Sequence, residues 1–310
     1  MNNILNSFEQ IRYMVFGLAT NSEFPFTGFP QSVSPAEVSI RKILPSQLPE
    51  VFKSLESGYE MTLDSEYAFV ADRSEDKFTY VRNGNEIFLS GFSMKEADEL
   101  KIHDFLLLER AFLALWNQRS AVILHASAVV VNCKAVLFSG MCGTGKSTIS
   151  AALFKRGYDK LFDDRSVVSF DESGLPRVPP GIGKQLLTIE AASVLNLELS
   201  GCPKKDGKVF FHKIPKNTHS LPLGCIFFLS RENASAPSIE EIPAMEAIRL
   251  VYENFRSSSP MVRDMSKPSS PTRVVEMIRN IPCFAAKLPK DEFSPETVAD
   301  KVEDLIAKYC

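Results

Sequence analysis

The sequence predicts an α/β protein with α+β character, and three stretches carry that expectation. KAVLFSG, at 134–140, is an apolar run leading straight into a glycine-rich turn and a helix-forming segment, the order expected of a parallel sheet. Upstream, EYAFVAD, KFTYVRN and NEIFLSG read as three short antiparallel strands between 66 and 91. The last two meet at Asn83-Gly84, where both residues tolerate positive φ. Downstream, GCIFFLS at 224–230 is apolar almost throughout, as a strand covered on both faces must be. The expected organisation is an N-terminal α+β region over 1–115, a candidate acceptor-binding module, followed by a mixed-sheet domain over 116–310.

Bulk properties narrow the function classes. With 310 residues, 45% hydrophobic and 24% charged, the chain has material for one large core or two. A net charge of -3 and a pI near 5.9 offer no concentrated positive field, so neither nucleic acid nor an anionic membrane is an expected partner. The six cysteines lack any C-x-x-C or metal spacing and read as thiols of a reducing compartment. The first residues show no signal-peptide pattern, and the longest apolar helix segment, 105–116, is broken by Glu109-Arg110. A cytoplasmic protein is expected, with self-association into a homo-oligomer left open.

The remaining elements follow in order. Residues 1–60 are rich in proline and aromatics without a period. Phe105, Leu108, Phe112 and Leu115 set a buried helix within 96–118. AVILHASAVVV and KAVLFSG read as two strands joined by a hairpin at Asn132-Cys133. Ser147 to Arg156 reads as a helix closed by Gly157, and Asp159 to Phe162 as a strand. VPPGIGK is turn-rich, and the basic segment around 202–217 reads as a hairpin or loop. Helices are expected near 239–255 and 272–280, separated by a Ser/Pro-rich loop. Ser294-Pro295 caps a last helix with Val298, Val302, Leu305 and Ile306 on one face.

Chemistry concentrates in GMCGTGKST. Gly140, Gly145, Lys146 and Ser147 satisfy G-x-x-x-x-G-K-[ST], and the strand before and helix after supply the context that makes such a match meaningful. Gly140, Met141, Cys142, Gly143, Thr144, Gly145, Lys146, Ser147 and Thr148 form the candidate nucleotide loop, its main-chain N–H groups and helix N-terminus suited to phosphate oxygens. Lys146 adds charge for the β- and γ-phosphates, and Ser147 a hydroxyl for Mg2+.

Asp163-Asp164 arrive one helix later. About ten helical residues run roughly 15 Å from the loop, and a strand of about four residues at ~3.3 Å each brings the chain most of the way back. Two carboxylates there could divide the work, one near Mg2+ and the other accepting a proton from an attacking hydroxyl; a solvated strand-end turn is the alternative. A lone histidine on a strand is more often structural than catalytic, and His125, on the preceding strand, is of that kind when read from the residues alone.

The stretch from Leu124 to Asp164 resembles the core of the HPr kinase/phosphorylase superfamily, related in fold to phosphoenolpyruvate carboxykinase. The upstream histidine, the phosphate loop, the K-R-G helix end and the D-D pair fall in the same register. The resemblance implies a P-loop kinase core and carries the family's positions onto His125, Lys146, Ser147 and Asp164, with His125 and Asp164 catalytic and Asp164 the base toward the acceptor hydroxyl; Asp163 joins them as a candidate catalytic residue and, with Ser147, as a candidate metal ligand from the reading of the acidic pair and the loop. Where HPr kinases proper carry a metal-binding glutamate, this chain has Thr188, with Glu190 two positions on. Their arginine-containing loop and N-terminal domain have no counterpart, so the likeness is to HPr-kinase-like proteins.

The leading expectation is an ATP- and Mg2+-dependent kinase acting on a hydroxyl of a peptide, protein or small molecule, with serine foremost. A small-metabolite kinase and a nucleotide-binding regulatory ATPase without transfer activity are the alternatives. Lys204, Lys205, Lys208, His212, Lys213 and Lys216 read as an exposed hairpin or an anion grip. Arg256, Arg263, Lys267 and Arg273 read as a lid or a solvated linker.

Overall fold

The computed structural model describes residues 12–24, 26, 29–47, 61–63, 67–72, 77–92, 102–181, 184–198, 200–202, 204–205, 207–212, 219–257, 271–290 and 293–309. These form a mixed α/β structure whose chain divides into two compact units, 1–118 and 119–310.

In the first unit, β1 (Arg12–Val15), β2 (Leu18–Ser22), β3 (Val38–Lys42), β4 (Met61–Leu63), β5 (Tyr67–Asp72), β6 (Lys77–Arg82) and β7 (Glu86–Ser90) make one sheet in the order β1-β2-β3-β7-β6-β5-β4. The expected meander is present, with Asn83 and Gly84 both at positive φ in its turn. The unpatterned first segment contributes three further strands. Phe16 and Gly17, at φ 50 and 74, turn β1 back onto β2. Helix α1 (Ile102–Gln118) packs on the sheet, and Phe112 stacks on Phe16 at 4.9 Å between centroids.

The second unit begins with β8 (Val122–Leu124), β9 (Ala126–Val131) and β10 (Lys134–Gly140), then α2 (Lys146–Lys155), β11 (Asp159–Phe162), β12 (Ser166–Phe170) and β13 (Pro176–Val178). Next come β14 (Lys184–Thr188), α3 (Ile189–Val194), β15 (Lys204–Lys205), β16 (Lys208–His212), β17 (Leu221–Glu232) and β18 (Ser238–Glu241). The chain closes with α4 (Ala244–Ser257), α5 (Pro271–Arg279), β19 (Cys283–Pro289) and α6 (Pro295–Tyr309). At the centre β10, β17 and β19 run parallel; on one side lies antiparallel β9, followed by β11, which pairs antiparallel with β9 and so runs the same way as the central strands, and on the other side lies antiparallel β18. β13, β12 and β8 leave from the start of β17, and β14-β16-β15 form a separate small sheet containing the expected basic hairpin.

Three expectations are corrected. AVILHASAVVV is two strands, because the chain breaks at His125: β8 goes to β12 while β9 stays with β10 and β11. Residues 239–241 belong to edge strand β18 beside β19, so the helix starts only at Ala244. The strand at 224–230 extends over 221–232, since its first residues pair with β13 and its last with β19.

The central strands are apolar on both faces because helices cover both. Phe138, Phe227 and Phe284 stand side by side in register on β10, β17 and β19, stacked at 5.4 and 4.9 Å. They face α2 and α6, whose Ile149, Leu153, Val298, Val302 and Ile306 complete the cluster. Strand alternation turns Ser139 to the opposite face, where α4 lies. Arg156, the C-cap of α2, holds α6 through Glu296 at 2.7 Å, Asp300 at 2.8 Å and Glu303, acidic groups one or two turns apart on one helix face. No helix among the described residues is long and apolar enough to cross a membrane.

Phe227 is the middle ring of the ladder and fully buried. Phe227→Ala is expected to destabilise the second unit by about 3–5 kcal/mol, read as a lowered urea midpoint.

Candidate phosphate site

The loop 140–147 lies where β10 ends and α2 begins, at the C-terminal edge of the parallel strands, the edge where α/β sheets gather ligands. Backbone geometry explains its glycines. A Cβ on Gly140 would lie 2.5 Å from the Leu229 carbonyl oxygen, so β10 reaches β17 this closely only without a side chain. Gly145 caps α2 in the left-handed region at φ 107, which a side chain rarely adopts. Thr144 is buried and donates its hydroxyl to Met141 O at 2.9 Å, tying the loop to itself. Met141, Cys142 and Gly143 are exposed at its mouth, and Thr148 is half-buried on the first turn of α2.

Lys146 is buried and curls back over this loop, donating to Gly140 O at 2.9 Å and Met141 O at 2.8 Å. Burial pushes its pKa below the ordinary 10.5; Asp164, then Cys142 and Asp163, pull it upward, and Lys208 presses it down again. The small sheet therefore brings one cation of its basic hairpin into the loop's electrostatic range. Lys213 and Lys216 lie outside the described residues.

The acidic pair divides at this point. Register sets Phe162 opposite Ala128 on β9, which carries the next residue, Asp163, level with Ser127. Asp163 is 2% exposed. Its Oδ1 accepts from Ser127 Oγ at 2.5 Å and Ser147 Oγ at 2.9 Å, with Lys160 Nζ at 3.5 Å. Lys160, itself buried and with its pKa lowered by that burial, also donates to Ser150 Oγ at 3.2 Å on α2.

Asp164 turns the other way. Its φ of 76 is the left-handed region, uncommon for a residue with a side chain though more open to aspartate than to most. Its Oδ1 lies 3.1 Å from His125 Nε2, and its Oδ2 lies 3.9 Å from Arg165 Nη2. Both partners come from one corner: the His125 break between β8 and β9 faces the 163–165 break between β11 and β12, because the two antiparallel pairs bend together.

The break at His125 removes two main-chain groups from the sheet ladder, and Asn254 of α4 takes both. His125 N–H donates to Asn254 Oδ1 at 3.2 Å, and Asn254 Nδ2 donates to His125 O at 3.3 Å. The same amide reaches Ser139 Oγ at 3.0 Å and Gly140 O at 3.3 Å. One buried side chain thus fixes the histidine corner against the start of the phosphate loop.

All the sequence-predicted residues at 125, 140–148, 163 and 164 gather around this strand edge. Ser127, Lys160, Arg165 and Asn254 join them unannounced, although each is polar where the pattern expects an apolar residue. Asn254 sits at the i+7 position from Ala247 on the apolar face of α4. Thr188 caps α3 by accepting from Ala191 N–H at 3.1 Å. Arg273 lies over the Phe170 ring at 4.6 Å and pairs with Glu276 at 2.8 Å, while 258–270, with Arg263 and Lys267, lie outside the described residues.

The oxygen donors of Ser147 and Asp163 suit a hard divalent cation such as Mg2+, which takes one or two carboxylates and completes its shell with phosphate and water. No cage of three or more His, Cys, Asp or Glu forms among the described residues.

Neither a family model nor a curated protein matches this sequence. Among solved structures it is similar to the Hpr(Ser) kinase/phosphatase from Coxiella burnetii, at 14% identity over 60% of this chain and 94% of that one, with a TM-score of 0.31. Similarity at that level decides neither fold family nor chemistry.

Two outcomes are expected. Asn254→Leu removes the partner that the part-buried N–H and C=O of His125 find on α4 and should lower stability by about 1–3 kcal/mol in urea unfolding. Phosphate-ligand affinity, followed by calorimetry from neutral to alkaline pH, should fall as Lys146 loses its proton; because burial lowers its pKa, the fall should begin below the ordinary lysine range.

Proposed function

We propose that this chain is an ATP- and Mg2+-dependent kinase of the HPr-kinase-like kind, moving the γ-phosphate to a hydroxyl, with serine of a peptide or protein as the acceptor. The observation that carries this reading is the division of labour between adjacent carboxylates. Asp163 faces the Ser147 hydroxyl of the phosphate loop, and Asp164 faces His125. A loop that only sensed nucleotide has no need of the second carboxylate, held in a left-handed turn beside an imidazole.

In this reading Lys146 exchanges its two carbonyl partners for oxygens of the β- and γ-phosphates. Ser147 and Asp163 would hold Mg2+, which supplies positive charge to the phosphates when bound. The acceptor oxygen forms a bond to Pγ while the bond from Pγ to the β,γ-bridging oxygen breaks and ADP departs. The hydroxyl proton passes to Asp164, whose carboxylate His125 orients through Oδ1. Phosphoryl transfer asks chiefly for positioning and charge, so an ordinary carboxylate is base enough when it is well held.

The test is mass spectrometry of serine peptides, proteins and small alcohols incubated with the full chain, ATP and Mg2+. The expected result is a gain of one phosphate on the acceptor, lost with a chelator. Asp164→Asn should lower kcat by about 100-fold or more while leaving ATP affinity within a few-fold. Phosphate released only to water, at a rate that Asp164→Asn does not change, would establish the regulatory ATPase instead; transfer confined to small alcohols would establish the metabolite kinase.

A further inference from the structure

Arg231 and Phe293 form a stack beside the phosphate loop that neither the loop nor the acidic pair uses. Phe227, Leu229 and Arg231 alternate onto the face of β17 that packs against α2 and α6, so Arg231 emerges at the C-terminal edge of the sheet on the α2 side. Phe293 lies between β19 and α6, and its Cζ stands 3.0 Å from the position a Cβ on Gly145 would take. The ring therefore touches the loop at the residue that opens α2. Arg231 lies over that ring, with Cζ 4.4 Å from the centroid, and its Nη1 donates to Pro289 O at 2.7 Å.

The guanidinium thus has an aromatic ring on one side and is pinned at one nitrogen. No carboxylate pairs with it among the described residues, and both members of the stack are half-buried, so it reaches solvent. A planar cation backed by a ring on one side can offer its other side to another π-system. The ligand expected at the neighbouring loop carries one.

We propose that Arg231, backed by Phe293, is the stacking platform for the nucleobase of the nucleoside triphosphate whose phosphates occupy residues 140–148. This inference rests on the nucleotide reading given above. It assigns base recognition to the ends of β17 and β19, leaving the opposite, α4 side of the sheet edge, where His125 and Asp164 meet, to the acceptor.

The test compares ATP with inorganic tripolyphosphate, each with Mg2+, by calorimetry on the full chain. Wild type should bind ATP about tenfold more tightly, the usual worth of one stacked base. Arg231→Lys keeps the charge and removes the plane; it should erase most of that preference with tripolyphosphate affinity unchanged, and Phe293→Leu should do the same by freeing the guanidinium. Equal binding of the two ligands by wild type overturns the proposal, as does an equal loss for both ligands in Arg231→Lys and Phe293→Leu. Binding of neither ligand by wild type overturns the nucleotide reading, and this inference with it.

Discussion

The buried carboxylate of Asp163 is the constraint on which the site depends. A carboxyl group that is 2% exposed needs polar partners in place of water, and here two hydroxyls and Lys160 Nζ supply them. Those donors come from β9, α2 and β11, so meeting that need also fixes the strand behind the loop, the helix in front of it and the strand that returns. The left-handed turn at Asp164 follows from it: with Asp163 directed inward, the next residue must reverse to place its carboxylate outside.

A second constraint acts on the other side of the sheet. The ribbon of β8–β12 and β9–β11 bends at the site, and a bent ribbon strands main-chain groups at its corner. Asn254 satisfies them and, with the same amide, reaches the end of β10. Loop and histidine are thus coupled through one side chain, and a change in α4 that moves Asn254 is felt by both.

The glycine turn between β10 and α2, the Asn132-Cys133 hairpin, α2 with Gly157 behind it, and α6 with its Ser294-Pro295 start were legible because each is a local signal, complete within about ten residues. The corner at His125 was not, since an unbroken apolar run cannot reveal that half of it pairs with β12 and half with β10. Ser127, Lys160 and Asn254 escaped for a related reason. Each is polar in an apolar pattern, and only its partner, distant in sequence, explains it. Strand β19 lay hidden in IPCFAAKLPK, where prolines at both ends mask a buried strand, and β1–β3 lay in a segment with no period at all.

If the loop takes a nucleotide as proposed, the hold of Lys146 on that loop sets the character of ligand entry. Gly140 O and Met141 O accept from two of the three ammonium protons, so Lys146 ties the loop to itself. Binding becomes a displacement, in which an incoming group must outcompete two neutral carbonyls that are covalently present at all times. A weakly charged anion gains little from that exchange, whereas a polyphosphate forms charge-assisted bonds roughly twice as strong as neutral ones. Under the proposed nucleotide reading the loop would therefore work as a threshold, discriminating among anions by charge density before any contact with the rest of the ligand is made.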